Sequence, residues 1–344
     1  MTAEVENSFP KLAIWSECVP YPRIEKLVPC INAHGITLFV AVREDELEAF
    51  GEMWGRLPPE TALRPWLLLR REEGYWANKW NLCRIETLVK DLLQTLKGKP
   101  PQWITLDVEP PPCLTEKIST LVGQKDYCGA VRLLRKSSLS RRGKFLEAQQ
   151  RYRQLVQWLH GHHINVHATT TPFVLHDAKG TYRMQSALGI PIGDVGWDEL
   201  SFMVYRPEYT RMLKLAQRVS ADLVYAYAQR AYAAYGEIAG VDLGEVGTVP
   251  PCGYSPEGQP KLCTYSSPRE LDEDYRAAQA AKVQRMHVYS LDGLISQGVD
   301  PTNGAQLTDW FTPPSGEPPR WDSMVRGFLP LLDGLSYLLP VPKY

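Results

Sequence analysis

Two carboxylates stand two residues apart at the end of an apolar run, Asp107 and Glu109 in Trp103–Glu109 (WITLDVE). Alternate residues of an extended chain face the same side, so Thr105, Asp107 and Glu109 share one face while Leu106 and Val108 take the other. Two crowded carboxyl groups repel when both are ionised, which raises the pKa of one of them. A carboxyl that keeps its proton near neutrality is what a general acid needs to protonate a leaving oxygen. The same pair could instead be ion-paired to Arg70 or Arg206 and do no chemistry.

Other apolar runs also end in polar residues: Glu17, Arg70 and Arg71, Thr169–Thr171, Tyr205 and Arg206, Glu245, Ser290 and Asp292. Glu109 with Glu245 would make a second hydrolytic arrangement, an acid and a nucleophile with carboxyls about 5–5.5 Å apart in a retaining enzyme. Trp76 and Trp80, in EEGYWANKW, offer flat apolar surfaces on which sugar rings stack, or pack beneath a loop. A metal-dependent isomerase would draw on Glu17, Asp107, Glu109, His167 and Glu245, but no motif gathers them. His160, His162 and His163 read as a solvated helix end, and His167 as a buried, hydrogen-bonded strand residue.

The elements that must position these groups alternate. Strands are expected at Leu12–Val19, Gly35–Val42, Trp66–Arg70, Trp103–Glu109, Ile164–Thr171, Leu200–Tyr205, Val241–Val246 and Met286–Leu291. Helical periodicity lies between them at Arg23–Ala33, Glu44–Trp54, Arg84–Lys97, Lys144–Leu159, Glu208–Ala234 and Pro268–Arg285. Strand–helix alternation eight times over points to an α/β fold, a (β/α)8 TIM barrel, and no GxGxxG or Walker loop supports a doubly wound sheet. Residues 1–344 read as one decorated barrel, with a helical excursion at 110–142 and an extended C-terminal tail at 301–344. Long loops are expected at Gly247–Lys261 and Pro301–Trp321, and an exposed loop face at Leu133–Lys144. In such barrels the chemistry sits at the carboxyl ends of the strands, where Asp107 and Glu109 fall.

The stretch Ile104–Glu109 resembles the fourth-strand signature of the chitinase-like glycoside hydrolase family 18, which ends in Asp-x-Glu. Phe202–Arg206 (FMVYR) is similar to that family's sixth-strand Met-x-Tyr-Asp, and Val288–Leu294 (VYSLDGL) to its last strand. The resemblance implies Glu109 as proton donor, Asp107 as the group that orients a substrate acetamido, whose oxygen is then the nucleophile, Tyr205 as a contact to that acetamido, and Tyr289 as the aromatic floor of the sugar site. The chain departs from the pattern elsewhere. Gln102 and Thr105 stand at the family's earlier aspartates, Arg206 stands at its sixth-strand Asp, and the third-strand Ser-x-Gly-Gly is absent.

Composition narrows the classes. The chain carries 38 basic and 39 acidic side chains, a formal charge of -1, which argues against general nucleic-acid binding. It has no run of 18 apolar residues and hence no expected membrane span. The opening MTAEVENSFP lacks the features of a signal peptide, so the cytosol is expected unless a leader has been lost. Seven scattered cysteines show no zinc spacing and read as free thiols, with Cys252 and Cys263 placed to pair in an oxidising compartment. The resulting expectation is a glycosidase for a carbohydrate substrate, with Glu109, Asp107 and Tyr205 catalytic. Tyr289, Glu245, Arg206, Arg70, Trp76, Trp80, Glu17 and Asp292 would line the cleft, without cofactor or metal. A non-catalytic glycan-binding barrel is the alternative.

Overall fold

The computed structural model describes residues 11–139, 142–212, 215, 218–247, 264–312 and 323–342. Eight parallel strands close into a barrel in chain order: β1 (Lys11–Ser16), β2 (Thr37–Val42), β3 (Leu63–Leu67), β4 (Trp103–Val108), β5 (Asn165–Thr170), β6 (Glu199–Met203), β7 (Ala239–Gly244) and β8 (Arg285–Tyr289). Helices run between successive strands, so the chain is a (β/α)8 barrel, as the alternation predicts.

The side-chain period of two divides every strand. One set, including Ile14, Val40, Leu67, Leu106, Val166, Leu200, Val241 and Val288, packs into the apolar layer beneath the helices. The other set fills the barrel, and it is divided again. The β1–β3 half is aromatic, with Trp15 stacked on Phe39 at 4.2 Å and edge-on to Trp66 at 4.9 Å. The β4–β8 half is polar and just as buried: Thr105, Asp107, His167, Thr169, Glu199, Ser201, Asp242 and His287.

β3 begins and ends three residues before the expected run Trp66–Arg70, and takes in Pro65. Its even-numbered residues bond toward β2, through Leu38 N–H to Ala62 O and Leu68 N–H to Val42 O, which turns Pro65 toward β4. Proline has no N–H to donate there, and the β3–β4 ladder is correspondingly short, Trp66 with Thr105 and Leu67 with Leu106. The chain after β3 completes the pairing: Ala77 lies beside Val108, its N–H donating to Asp107 O and its carbonyl accepting from Glu109 N–H.

The single helix expected at Glu208–Ala234 is two, Arg206–Met212 and Asp222–Tyr235. The first helix holds the chain ahead of the second, as Thr210 Oγ1 accepts from Val219 N–H and Arg206 donates to Val219 O. Residues Leu133–Leu139 of the expected basic loop are helical, part of Tyr127–Leu139, which follows the helix Pro112–Gly123. The tail likewise holds helices at Gly304–Phe311 and Ser323–Tyr337 rather than loop throughout 301–321. The second is anchored by Asp333, which accepts from Arg230 at 2.7 and 2.8 Å and pairs with His176 at 2.8 Å. No described helix is long and apolar enough to cross a membrane.

Cys18 is disulfide-bonded, whereas Cys30, Cys83, Cys113 and Cys128 are free. The expectation that Cys18 is a free thiol is therefore corrected. Cys252, Cys263 and most of the loop expected at Gly247–Lys261 lie outside the described residues.

Candidate active site

β4 delivers Asp107 into the barrel near its carboxyl-terminal end, and Glu109 follows one step beyond the strand, at the mouth. The two carboxyls hydrogen-bond to each other. No N–H or hydroxyl of the described residues donates to Asp107 Oδ1. Two carboxyls this close repel when both are ionised, which favours a proton on one of them. Burial raises Asp107 well above the ordinary aspartate value, with the Glu109 charge adding to it. Burial also pushes Glu109 up to about 8, offset in part by its bond from Asp107.

Around the pair stand groups from every side of the mouth. Tyr205, at the end of β6, lies within electrostatic reach of Asp242, Asp107, Glu109 and Glu245. Its ring is 5.9 Å from that of Tyr289 on β8. Tyr289 donates to Glu17 Oε2 at 2.5 Å, and Tyr75 donates to Glu17 Oε1. Arg43 lies 3.6 Å from the same carboxylate and donates to the Tyr75 hydroxyl at 3.0 Å. Burial nonetheless holds Glu17 above its ordinary value. Trp76 stands edge-on to Tyr75 at 5.5 Å, next to Ala77 and so beside the β4 end.

Glu245 follows β7, where Gly244 takes φ +137°. A Cβ on Gly244 would sit 2.3 Å from the carbonyl of Tyr289, so only glycine lets the chain pass β8 there. Glu245 pairs with Arg211 at 3.4 Å, and burial pushes it up to about 7, with Glu208 contributing. Glu208 also bears on Glu109.

The structure thus brings Glu109, Asp107, Tyr205, Tyr289, Glu17, Glu245 and Trp76 to one mouth. It sends four other expected residues elsewhere. Arg206 turns outward and is consumed by a buried pair with Asp274 at 2.5 Å, by Tyr265 at 3.0 Å and by the carbonyls of Val219 and Glu270. Asp292 accepts from the backbone N–H groups of Glu17 and Cys18, at 2.9 and 2.8 Å, and so fixes the turn after β1 rather than facing a ligand. Trp80 lies over Gly189, leaving no room for a Cβ there, with Lys79 Nζ 4.5 Å from its ring. Arg70 is exposed ahead of the turn Arg71–Glu73.

Sequence reasoning missed Arg43, Tyr75, Glu208 and Arg211, which come from loops and from the short helix Arg206–Met212 and carry no periodic signal. It also missed Glu199, Ser201, Asp242 and His287. Their signal was present, as polar residues at alternate positions in short apolar strands.

His167, Glu199 and His287 approach closely enough to suggest a metal site. Their lone pairs are already committed. His287 lies between Asp242 at 2.8 Å and Glu199 at 2.9 Å, His167 bonds Ser201 at 2.9 Å, and Glu199 also binds Arg64 at 3.0 Å and Arg285 at 2.5 Å. Two guanidinium groups on the only carboxylate of the trio oppose a divalent cation, so these residues fit an ion-pair network better than a metal. Asp242 and Glu199 are held below their ordinary values by these bonds against the opposing effect of burial. His287 is raised by its two carboxylates, and His167 is pushed down to about 3 by burial.

No protein-family model matches the chain, and no curated protein matches it significantly. Solved structures similar to it include the spore cortex-lytic enzyme SleL of Bacillus megaterium QM B1551, at 13% identity over 88% of this chain and 74% of that one, TM-score 0.45. A class V chitinase from Pseudomonas fluorescens Pf-5 is 10% identical over 88% and 99%, TM-score 0.44. The YdjI aldolase of Escherichia coli K12 is 10% identical over 81% and 75%, TM-score 0.38. These likenesses concern the barrel and single out no activity.

Proposed function

We propose that the protein is a glycoside hydrolase in which Glu109 is the general acid and Asp107 its partner. The observation that carries this reading is two adjacent carboxyls, Asp107 buried and Glu109 partly buried, both pushed up by burial at the carboxyl-terminal mouth of the barrel, with Tyr205, Tyr289 and Trp76 beside them. Protonated Glu109 gives its proton to the glycosidic oxygen as the bond from that oxygen to the anomeric carbon breaks. On an N-acetylhexosamine substrate, the acetamido oxygen forms the new bond to the anomeric carbon, with the acetamido N–H on Asp107 and Tyr205 against the group. The Glu109 carboxylate then takes a proton from the water that opens this intermediate, and the acid is restored.

The alternative nucleophile, Glu245, is less suited. A nucleophilic carboxyl must be ionised, and burial pushes this one up to about 7. The disulfide at Cys18 supports an oxidising compartment, since such bonds are rare in the cytosol.

The test is release of chromophore from a panel of aryl glycosides, N-acetylglucosaminides included, by the wild type and Glu109→Gln. Turnover abolished by that change supports the reading, and the preferred sugar chooses between acetamido and Glu245 as nucleophile. Oligosaccharide binding with no turnover by either protein would replace it with a glycan-binding barrel.

A further inference from the structure

Beneath the Asp107–Glu109 pair, the polar half of the barrel carries a ladder of charge that the proposed reaction does not use. Arg64 on β3 and Arg285 on β8 hold one oxygen of Glu199, at 3.0 and 2.5 Å. The other oxygen of Glu199 meets His287 Nε2 at 2.9 Å, and His287 Nδ1 meets Asp242 Oδ1 at 2.8 Å. Asp242, wholly buried on β7, collects three more donors: Trp15 Nε1 at 3.3 Å, Ser201 Oγ at 2.7 Å and Thr169 Oγ1 at 2.5 Å. Two donors on each oxygen leave it a fixed carboxylate.

The top of this ladder reaches the active pair through Thr169. Thr169 is the residue paired with Asp107 across the β4–β5 ladder, yet its hydroxyl donates to Asp242. Among the described residues, the barrel floor therefore supplies donors to Asp242 and none to Asp107 Oδ1. We propose that Asp242 is a positioning residue: its buried charge, set from below by His287, keeps the catalytic proton on the Asp107–Glu109 pair. This rests on the glycosidase reading only for the reaction that the proton serves.

A negative charge fixed nearby in a water-excluded interior disfavours ionisation of a neighbouring carboxyl. The groups facing the pair are Glu17 from β1, Tyr205 after β6, Asp242 from β7 and Glu208 from the helix Arg206–Met212. Glu17 is bound by two tyrosine hydroxyls and lies near Arg43, and Glu208 lies near Arg211. Asp242 is faced by His287 from β8 and His167 from β5, with Glu199, Arg64 and Arg285 behind them.

The test follows the Glu109 carboxyl by 13C NMR titration of glutamate-labelled full-length protein, with the pH profile of kcat/KM alongside. Asp242→Asn keeps the shape and removes the charge, so the Glu109 titration should move down by about one pH unit or more. Thr169→Val removes a hydroxyl dipole that shields Asp242, so the titration should move up. Opposite shifts support the proposal, because a purely structural role does not predict their signs. An unmoved titration in folded Asp242→Asn, or shifts of both variants in one direction, would overturn it. Should Asp242→Asn fail to fold, the near-isosteric Thr169→Val decides by its upward shift or lack of one. If the titration shifts as expected while the glycoside panel is silent, the placement of Asp242 stands and the glycosidase reading falls. Turnover with an unmoved titration has the reverse meaning.

Discussion

Tyr289 donates its hydroxyl to Glu17 at 2.5 Å, joining the ends of β8 and β1 at the mouth of the barrel. Because Tyr75 takes the other carboxylate oxygen, Glu17 is a fixed part of the wall rather than a loose acid. Tyr289→Phe keeps the ring and leaves one buried carboxylate oxygen without its donor, so stability should drop by about 1–3 kcal/mol in urea denaturation. Sugar affinity should change little in that variant. Tyr289→Ala, which also removes the ring, should weaken binding by about tenfold or more.

The pH dependence of turnover has a definite sign. Glu109 must be protonated to act as an acid, and burial pushes it up to about 8. The rate should therefore hold through neutrality and fall as pH rises through about 8. Glu109→Gln should lose about 10²–10⁴-fold in kcat and with it that limb of the profile. A profile that rises through pH 8 would show that the essential group acts as a base.

Glu245 should weaken the fold at high pH. Its folded value, about 7, lies above the ordinary glutamate value, so the folded chain binds this proton more tightly than the unfolded chain does. Stability is thus lost as pH rises from about 4 to about 7, and not regained above that. Glu245→Gln should raise the free energy of unfolding from urea denaturation at pH 8 by about 1–2 kcal/mol, and leave it nearly unchanged at pH 4. Destabilisation at pH 8 would mean that the pair with Arg211 outweighs burial.

Arg206 and Asp274 pair inside the protein, both nearly inaccessible. Arg206→Met strands the Asp274 charge and should cost about 3–5 kcal/mol. Arg206→Met with Asp274→Leu should regain much of that loss, and the folded single variant should turn over substrate at the wild-type rate. A selective loss of kcat without a loss of stability would return Arg206 to the reaction.

The disulfide at Cys18 can be counted. Denatured protein should release at least two more thiols after reduction than before it, read with a thiol reagent. Equal counts would remove the support for an oxidising compartment.

The eight strands were legible because each is a short apolar run bounded by breakers, and the period of two already assigned Asp107 and Glu109 to one face. Sequence alone therefore determined the barrel and the acid pair at the end of its fourth strand, both local consequences of patterning. It did not determine that Tyr75 and Tyr289, more than 200 residues apart, would meet on Glu17, nor that Arg206 would leave the mouth for Asp274. Nor did it show Glu199, His287 and Asp242 as one ladder, although each lay at an inward position of its own strand. Periodicity is local and says which face a side chain takes. Which inward side chains touch depends on how far the closed barrel staggers its strands, and on where the connecting loops return, and only the tertiary structure decided that.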